Sequence, residues 1–388
     1  MTDKEILESF FKTNKIKAEV VLAEDRFPLN RFFIKMGAET QISDISKYSR
    51  EIGLALKALD APIVQTLYKE GMLRLEVMLG EHPTISYSDL ENQIPFNEHA
   101  LPCILGAKNI VEPLVIDLQK APHILLGGTT GSGKSIMLHA MINSLMQKAA
   151  LENNVKFALI DPKQVEFIGY KKYKNLFAPI ANSPVEATSL LESLILEMEA
   201  RLANLKKHGA RDISGLKPRL RKKMPYIVLF IDELSDLFIS NKKSKSLLIQ
   251  LAQKSRAAGI HIVAATQHPS AKIIPGELKA NFPYVIGCKV ASAIHSRILF
   301  ENGGAEKLLG NGDAILNGGN YDMQRFKGCY LSMEEIEKRQ KLFRKGFFQK
   351  RLGPLLINIW RNLNCRVFKH APKALCGKGQ LVLDEDTF

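Results

Sequence analysis

The densest chemistry in the sequence lies between an apolar run, "HILLG", and a helical pattern, "SIMLHAMINSLMQKA". There Gly128, Thr129, Thr130, Gly131, Ser132, Gly133, Lys134 and Ser135 follow the spacing Gly-x-x-x-x-Gly-Lys-Ser. Glycines at these positions let successive backbone N–H groups converge on phosphate oxygens with no Cβ in the way. A helix starting near Gly133 adds the partial positive charge of its N-terminus. Lys134 is then placed to reach β- and γ-phosphates, and the Ser135 hydroxyl to ligate Mg²⁺. ATP and Mg²⁺ are the expected cofactors. A glycine-rich turn without a ligand is the plainer reading, but a strand before and a helix after are what the phosphate mechanism requires.

A second group narrows the reaction. In "MPYIVLFIDELSDL" an apolar strand ends on Asp232 and Glu233, at the end of the strand where α/β proteins bind ligands. Asp232 suits the Mg²⁺ shell, and Glu233 suits polarising an attacking water, which points to hydrolysis of ATP rather than transfer to a small substrate. An acidic helix cap explains one of these carboxylates more easily than two. "HIVAATQHPS" places Thr266 and Gln267 at the end of the next strand, where a polar pair senses the γ-phosphate; a simple turn is the alternative.

The surrounding pattern supplies the elements that hold these residues. From 101 to 332 short, wholly apolar strands ("HILLG", "KFALID", "YIVLFID", "IHIVAAT", "YVIGCKV") alternate with longer helical segments. Strands without polar alternation are buried on both faces, so an α/β fold with a mostly parallel sheet between helix layers is expected. Residues 1–100 read as a small α+β subdomain. It has strand-like runs at "KAEVVLAED", "NRFFIKMG" and "LRLEVML", and a helix through Ile45, Tyr48, Ile52, Leu56 and Leu59. Residues 333–388 read as a basic helical tail, with Trp360 and Phe347-Phe348 among Lys and Arg, placed to meet DNA, a partner or the chain's own core.

Composition sets the partners. The chain has 388 residues, with 54 Lys+Arg against 40 Asp+Glu, a net charge of +14 that favours a polyanion, nucleic acid ahead of an anionic membrane surface. Five scattered cysteines, Cys103, Cys288, Cys329, Cys365 and Cys376, form no C-x-x-C pair, so neither zinc site nor disulfide framework is indicated and a reducing, cytoplasmic setting is expected. The charged N-terminus lacks a signal-peptide core, and no apolar run approaches the ~18 residues of a membrane helix. Membrane attachment would need a partner.

With these blocks in view, the chain resembles the motor region of the FtsK/SpoIIIE family of DNA translocases, within the HerA/FtsK group of P-loop ATPases. The similarity runs in order through "LQKAPHILLGGTTGSGKS", "ALIDPKQVEF", "LEMEARL", "VLFIDELSDL", "SRAAGIHIVAATQHPS", "IPGELKANFP" and "GGAEKLLGNGDAIL". It is strong over 100–330 and weaker over 16–100, in the place of the family's α subdomain. The resemblance implies a RecA-like core and a homo-oligomeric ring, a hexamer, with ATP between subunits. Lys134, Ser135, Asp232 and Glu233 then do the chemistry in cis. An arginine arrives from the neighbour, Arg256 first and Arg297 second. The chain departs from the family pattern at His268, where arginine is usual, and at His295, where aspartate is usual.

In such a ring the connection "NLKKHGARDISGLKPRLRKKMP" faces the channel. Lys206, Lys207, Arg211, Arg219, Arg221, Lys222 and Lys223 are therefore expected to grip the phosphates of double-stranded DNA, against the plainer reading of a solvated loop. The family's septal members carry membrane spans and often a DNA-reading winged helix; neither is legible in this sequence, so sequence-directed movement is not expected. A DNA translocase, with a membrane-bound or mobile-element partner, is the leading expectation. An ATPase that moves a protein in a secretion or conjugation machine is the alternative, and a non-hydrolysing DNA-binding ring a third.

Overall fold

The computed structural model describes residues 1–24, 29–67, 70–80, 84–94, 96–108, 112–152 and 154–344. The chain opens with α1 (Asp3–Thr13), β1 (Ala18–Glu24), β2 (Leu29–Met36), the short helices α2 (Ile42–Ser46) and α3 (Ser49–Ala55), β3 (Ile63–Leu67) and β4 (Met72–Met78). A short helix α4 (Tyr87–Glu91) leads into β5 (Pro102–Ala107), β6 (Pro113–Asp117) and β7 (His123–Gly127). Then come α5 (Lys134–Glu152), β8 (Val155–Ile160), α6 (Pro184–Lys207), one-turn α7 (Pro218–Arg221), β9 (Tyr226–Ile231), α8 (Leu234–Ser240), α9 (Lys242–Lys254) and β10 (Ile260–Thr266). The described part closes with α10 (Gly276–Lys279), β11 (Tyr284–Cys288), α11 (Ala293–Leu299), β12 (Asp313–Gly318), β13 (Tyr321–Gly328) and α12 (Met333–Arg344).

Among the described residues the strands form two sheets. The small one runs β1-β2-β4-β3 and is antiparallel throughout. Helix α1, fixed by a Thr2/Glu5 capping box, buries Leu7 and Phe11 on it. The helix read through Ile45, Ile52 and Leu56 does bury those three side chains, but it breaks at Lys47-Tyr48, which sets the Tyr48 ring edge-on to Phe10 of α1 at 5.9 Å. The small sheet's own unit stops near residue 80. Ile85, Tyr87, Leu90, Ile94 and Phe96 pack instead with Ile104, Ala140, Leu331 and Ile336 on the larger sheet, so the sequence division at 100 falls inside the larger body.

The large sheet has the order β6-β5-β13-β12-β11-β7-β10-β9-β8. Strands β11, β7, β10, β9 and β8 are parallel, as the apolar runs require; β9 and β10 are buried along their whole length between helices. The sheet is a mixed one, because β12, β13, β5 and β6 continue it as an antiparallel half. Its N-terminal neighbour docks on that half: Gln65 Nε2 of β3 donates to Met323 O at 2.8 Å and Arg74 Nη2 of β4 to Asp322 O at 3.0 Å. No helix among the described residues is long and apolar enough to cross a membrane. Of the expected tail, α12 is described, while Phe347, Phe348, Trp360, Cys365 and Cys376 lie outside the described residues.

Two buried histidines tie the first residues of the parallel strands together. His123 Nδ1 accepts from Ile262 N at 3.2 Å, and His261 Nδ1 lies 3.2 Å from Pro122 O. Desolvation holds the His123 pKa at about 3, with help from His261, and that of His261 at about 4. Both folded values lie below the unfolded value near 6.5, so the unfolded chain binds more protons and stability falls as pH drops through 6.5 toward 4. Urea unfolding at pH 7 and pH 5 should therefore differ by about 3–4 kcal/mol from this pair. A His261→Gln variant should show roughly half of that pair contribution.

Candidate nucleotide-binding site

The segment 128–133 leaves the C-terminal end of β7 between β10 and β11, the crevice where parallel sheets bind ligands. Its backbone is pinned on both sides: Gly128 N donates to Thr266 O at 3.1 Å and Thr129 N to Lys289 O at 2.9 Å. Gly131 and Gly133 sit at φ of +77° and +101°. A Cβ on Gly128 would meet Ser132 Oγ at 2.6 Å, and one on Gly133 would meet Gly312 N at 2.6 Å. The Ser132 hydroxyl is buried with no hydrogen-bond partner. The turn opens on a pocket of about 560 Å³ whose lining includes Thr129, Thr130, Lys134, Ser135, Glu166 and Gln267. A donor-rich cradle of that size fits a nucleoside triphosphate.

Lys134 is buried, its Nζ 3.1 Å from Asp232 Oδ1 and 2.9 Å from Asp232 O. Burial pushes the Asp232 carboxyl up, against the opposing pull of Lys134. Glu233 is also buried and caps α8. Its Oε1 accepts from Ser235 Oγ at 2.6 Å, Ser235 N at 3.2 Å and Thr266 Oγ1 at 2.7 Å, and its Oε2 from Gln267 N at 2.8 Å. Thr130 Oγ1 in turn donates to Gln267 Oε1 at 3.2 Å. Thus Thr266 and Gln267 fasten the second acidic residue to the phosphate turn.

The opposite wall is the start of β12, which sequence reasoning did not assign to the site. Gly312 N donates to Ser132 O at 2.8 Å and Asn311 N to Gly131 O at 3.3 Å. Asp313, wholly buried, receives Arg325 Nε at 2.9 Å and Nη2 at 2.6 Å, a two-pronged ion pair between adjacent strands. Asp313 Oδ2 also accepts from Leu309 N at 2.9 Å, which closes the turn 309–313. The signal was present as Gly310-Asn311-Gly312, where all three residues have positive φ. Three further missed residues, Asp161, Glu166 and His139, stand beside Ser135 and Asp232, and only their spacing in the fold connects them.

The remaining candidates lie elsewhere. Arg256 is exposed in the turn before β10, at the strands' N-terminal end and so across the sheet from its own phosphate turn. Arg297 is exposed on the last turn of α11. His268 is exposed, its N donating to Thr266 Oγ1, and the buried His295 Nδ1 has no partner. Lys206 and Lys207 end α6, Arg211 follows, and Arg219, Arg221, Lys222 and Lys223 occupy α7 and its exit; all seven are exposed. Their loop is anchored by buried Ile213 and Leu216 and by Asp212 capping the turn 213–215. It too lies at the strands' N-terminal end. Arg221 and Lys222 also line a cleft holding Glu98, Asp117 and Glu152, so those two face carboxylates as well as solvent.

The sequence profile of the FtsK/SpoIIIE family matches residues 91–271. A DNA translocase FtsK of Streptococcus pneumoniae is 34% identical over 347 residues, covering 86% of this chain and 45% of the relative. One of Oceanobacillus iheyensis is 34% identical over 345 residues, covering 86% and 44%. The chain thus spans less than half the length of these relatives. Among solved structures, the monomer form of the pCW3 conjugation coupling protein TcpA with ATPγS gives a TM-score of 0.62 at 22% identity, over 88% of this chain and 99% of that one. The cytoplasmic domain of the Thermomonospora curvata type VII secretion ATPase EccC gives 0.57 at 20%, over 68% and 34%. At these identities the likeness is one of fold, a RecA-like P-loop ATPase core.

Arg325→Met removes the guanidinium from a buried carboxylate and should cost about 3–5 kcal/mol of stability by denaturant unfolding. Nucleotide affinity should fall with it, since the 309–313 turn holds the phosphate turn. Replacing Asp313 by Leu in the same chain should recover most of the stability but not the affinity.

Proposed function

The chain belongs to the FtsK/SpoIIIE family, and on that footing we propose that it is an ATP-driven motor that moves double-stranded DNA. One observation carries the enzymatic part: Lys134, at the end of the phosphate turn, lies against Asp232, beside a Glu233 whose carboxylate is aligned by Thr266 and Gln267. The amides of 129–133 and Lys134 hold the triphosphate and counter the charge that develops on its oxygens. Ser135 and Asp232 are the residues that would hold Mg²⁺, which would supply charge neutralisation to the triphosphate. Glu233 takes a proton from the water attacking the γ-phosphorus as the bond to the β-phosphate oxygen breaks. Gln267, in contact with both Thr130 and Glu233, is placed to register whether the γ-phosphate is there.

The DNA part rests on charge and position. The seven exposed basic residues named above border an anchored loop, with exposed Lys217 among them, and their side chains suit phosphate rather than base edges. Arg256 stands on the same side of the sheet, away from its own nucleotide, which supports a ring in which it completes a neighbour's site. Arg297 is the second candidate for that role.

ATP turnover should rise several-fold with linear duplex DNA at low salt, and the rise should fade steeply as salt increases. Turnover that ignores duplex at low salt would turn the reading toward a protein cargo. Glu233→Gln should lose on the order of 10²–10⁴-fold in turnover while still binding ATP. A Glu233→Gln chain hydrolysing at the unsubstituted rate would remove the proposed base.

A further inference from the structure

We infer that Glu166 is a further positioning residue of the hydrolysis. It aims the Ser135 hydroxyl, and its own orientation is set by a hydrogen-bonded line running through His139 to Tyr170, beside which α12 packs Gln340. The inference rests on the ATPase reading above and adds a residue that neither the phosphate turn nor the Asp232-Glu233 pair contains.

Glu166 lies in the loop after β8 and lines the nucleotide pocket. Its Oε1 accepts the Ser135 hydroxyl proton at 2.8 Å. A serine hydroxyl whose proton is committed to a carboxylate presents its lone pairs away from that carboxylate, toward the phosphate cradle. This is how a second ring of groups orients a metal ligand. The other carboxylate oxygen is held as well: Glu166 Oε2 is 3.3 Å from His139 Nε2, on the next inward turn of α5.

The line continues outward. His139 Nδ1 lies 2.8 Å from the Tyr170 hydroxyl, which Asn143 Nδ2 also reaches at 3.4 Å. Gln340, a side chain that α12 buries at this point, packs beside Tyr170 against Gly169. Gly169 makes the approach possible, because a Cβ there would meet Gln340 Oε1 at 2.0 Å. The loop carrying Glu166 is itself fixed: buried Asp161 Oδ2 accepts from Phe167 N at 2.8 Å, and the Phe167 ring stands edge-on to His139. A carboxylate this well supported, pointing at a residue expected to bind metal, is built for placement.

The test uses the full chain with a fluorescent ATP analogue, titrated with Mg²⁺ and separately in EDTA. Glu166→Gln should raise the half-saturating Mg²⁺ concentration about ten-fold or more, with affinity in EDTA unchanged. Tyr170→Phe, which keeps the ring and loses the hydroxyl, should shift the Mg²⁺ requirement in the same direction by a smaller factor. An unchanged Mg²⁺ requirement in Glu166→Gln overturns the inference, and so does an equal loss with and without Mg²⁺, which would mark a merely structural role. A Tyr170→Phe chain with the unsubstituted requirement overturns the outer part of the line. Failure of the unsubstituted chain to bind the analogue would instead sink the ATPase reading.

Discussion

The site depends on backbone held against backbone. The phosphate turn can keep its amides convergent only because something rigid stands behind it, and that support is the turn 309–313, joined by Gly312 N to Ser132 O at 2.8 Å. The approach excludes side chains: Gly133 faces Gly312, and Gly328 N donates to Gly312 O at 2.7 Å one strand further on. Glycines alone would leave the turn loose, since they lose the most conformational freedom on folding. The buried Asp313–Arg325 pair supplies the missing constraint, and it does so with direction, because two parallel hydrogen bonds fix the relative orientation of β12 and β13.

This arrangement explains why the sheet does not stop at its parallel half. Five parallel strands would be sufficient to present the phosphate turn, Asp232 and Glu233 along one edge. The antiparallel half gives the turn its rear wall, and it also receives the small sheet through Gln65 and Arg74 on Met323 and Asp322. Strand β13 therefore lines the nucleotide pocket at one end, through Lys327 and Gly328, and meets the N-terminal unit at the other. The candidate residues divide along the strand axis: the glycine-rich turn, Asp232 and Glu233 at the C-terminal ends, the basic loop and Arg256 at the N-terminal ends.

The parallel half was legible because burial on both faces leaves no polar alternation, and "YIVLFID" or "IHIVAAT" can be little else. Lys134, Ser135, Asp232 and Glu233 were legible because each follows its strand directly. Strands β12 and β13 were not, since their glycines and polar residues read as turn; their pairing is decided by Asp313 and Arg325, twelve residues apart. Strand β3 and helix α1 are short or heavily charged, and tertiary packing decides them. Glu166 escaped for a different reason. It lies 31 residues from Ser135, on a separate strand's exit loop, and nothing in local spacing joins them.

Glu233 shows how such a site reconciles order with reactivity. Four hydrogen bonds from Ser235, Thr266 and Gln267 fix its carboxylate, three of them on Oε1, so that Oε2, which accepts only from Gln267 N, keeps a lone pair for a proton. Ser235 belongs to the same helix cap and moves with Glu233. Thr266 and Gln267 belong to β10, and Gln267 also contacts Thr130 of the phosphate turn. A shift of that turn around a nucleotide is thereby transmitted first to the strand beside Glu233. The strand carrying Thr266 and Gln267 at its end is the one that begins a few residues after Arg256. One strand thus spans from the residues beside Glu233 to the turn that carries Arg256, and in the ring proposed above it would be a physical path by which neighbouring sites act in sequence.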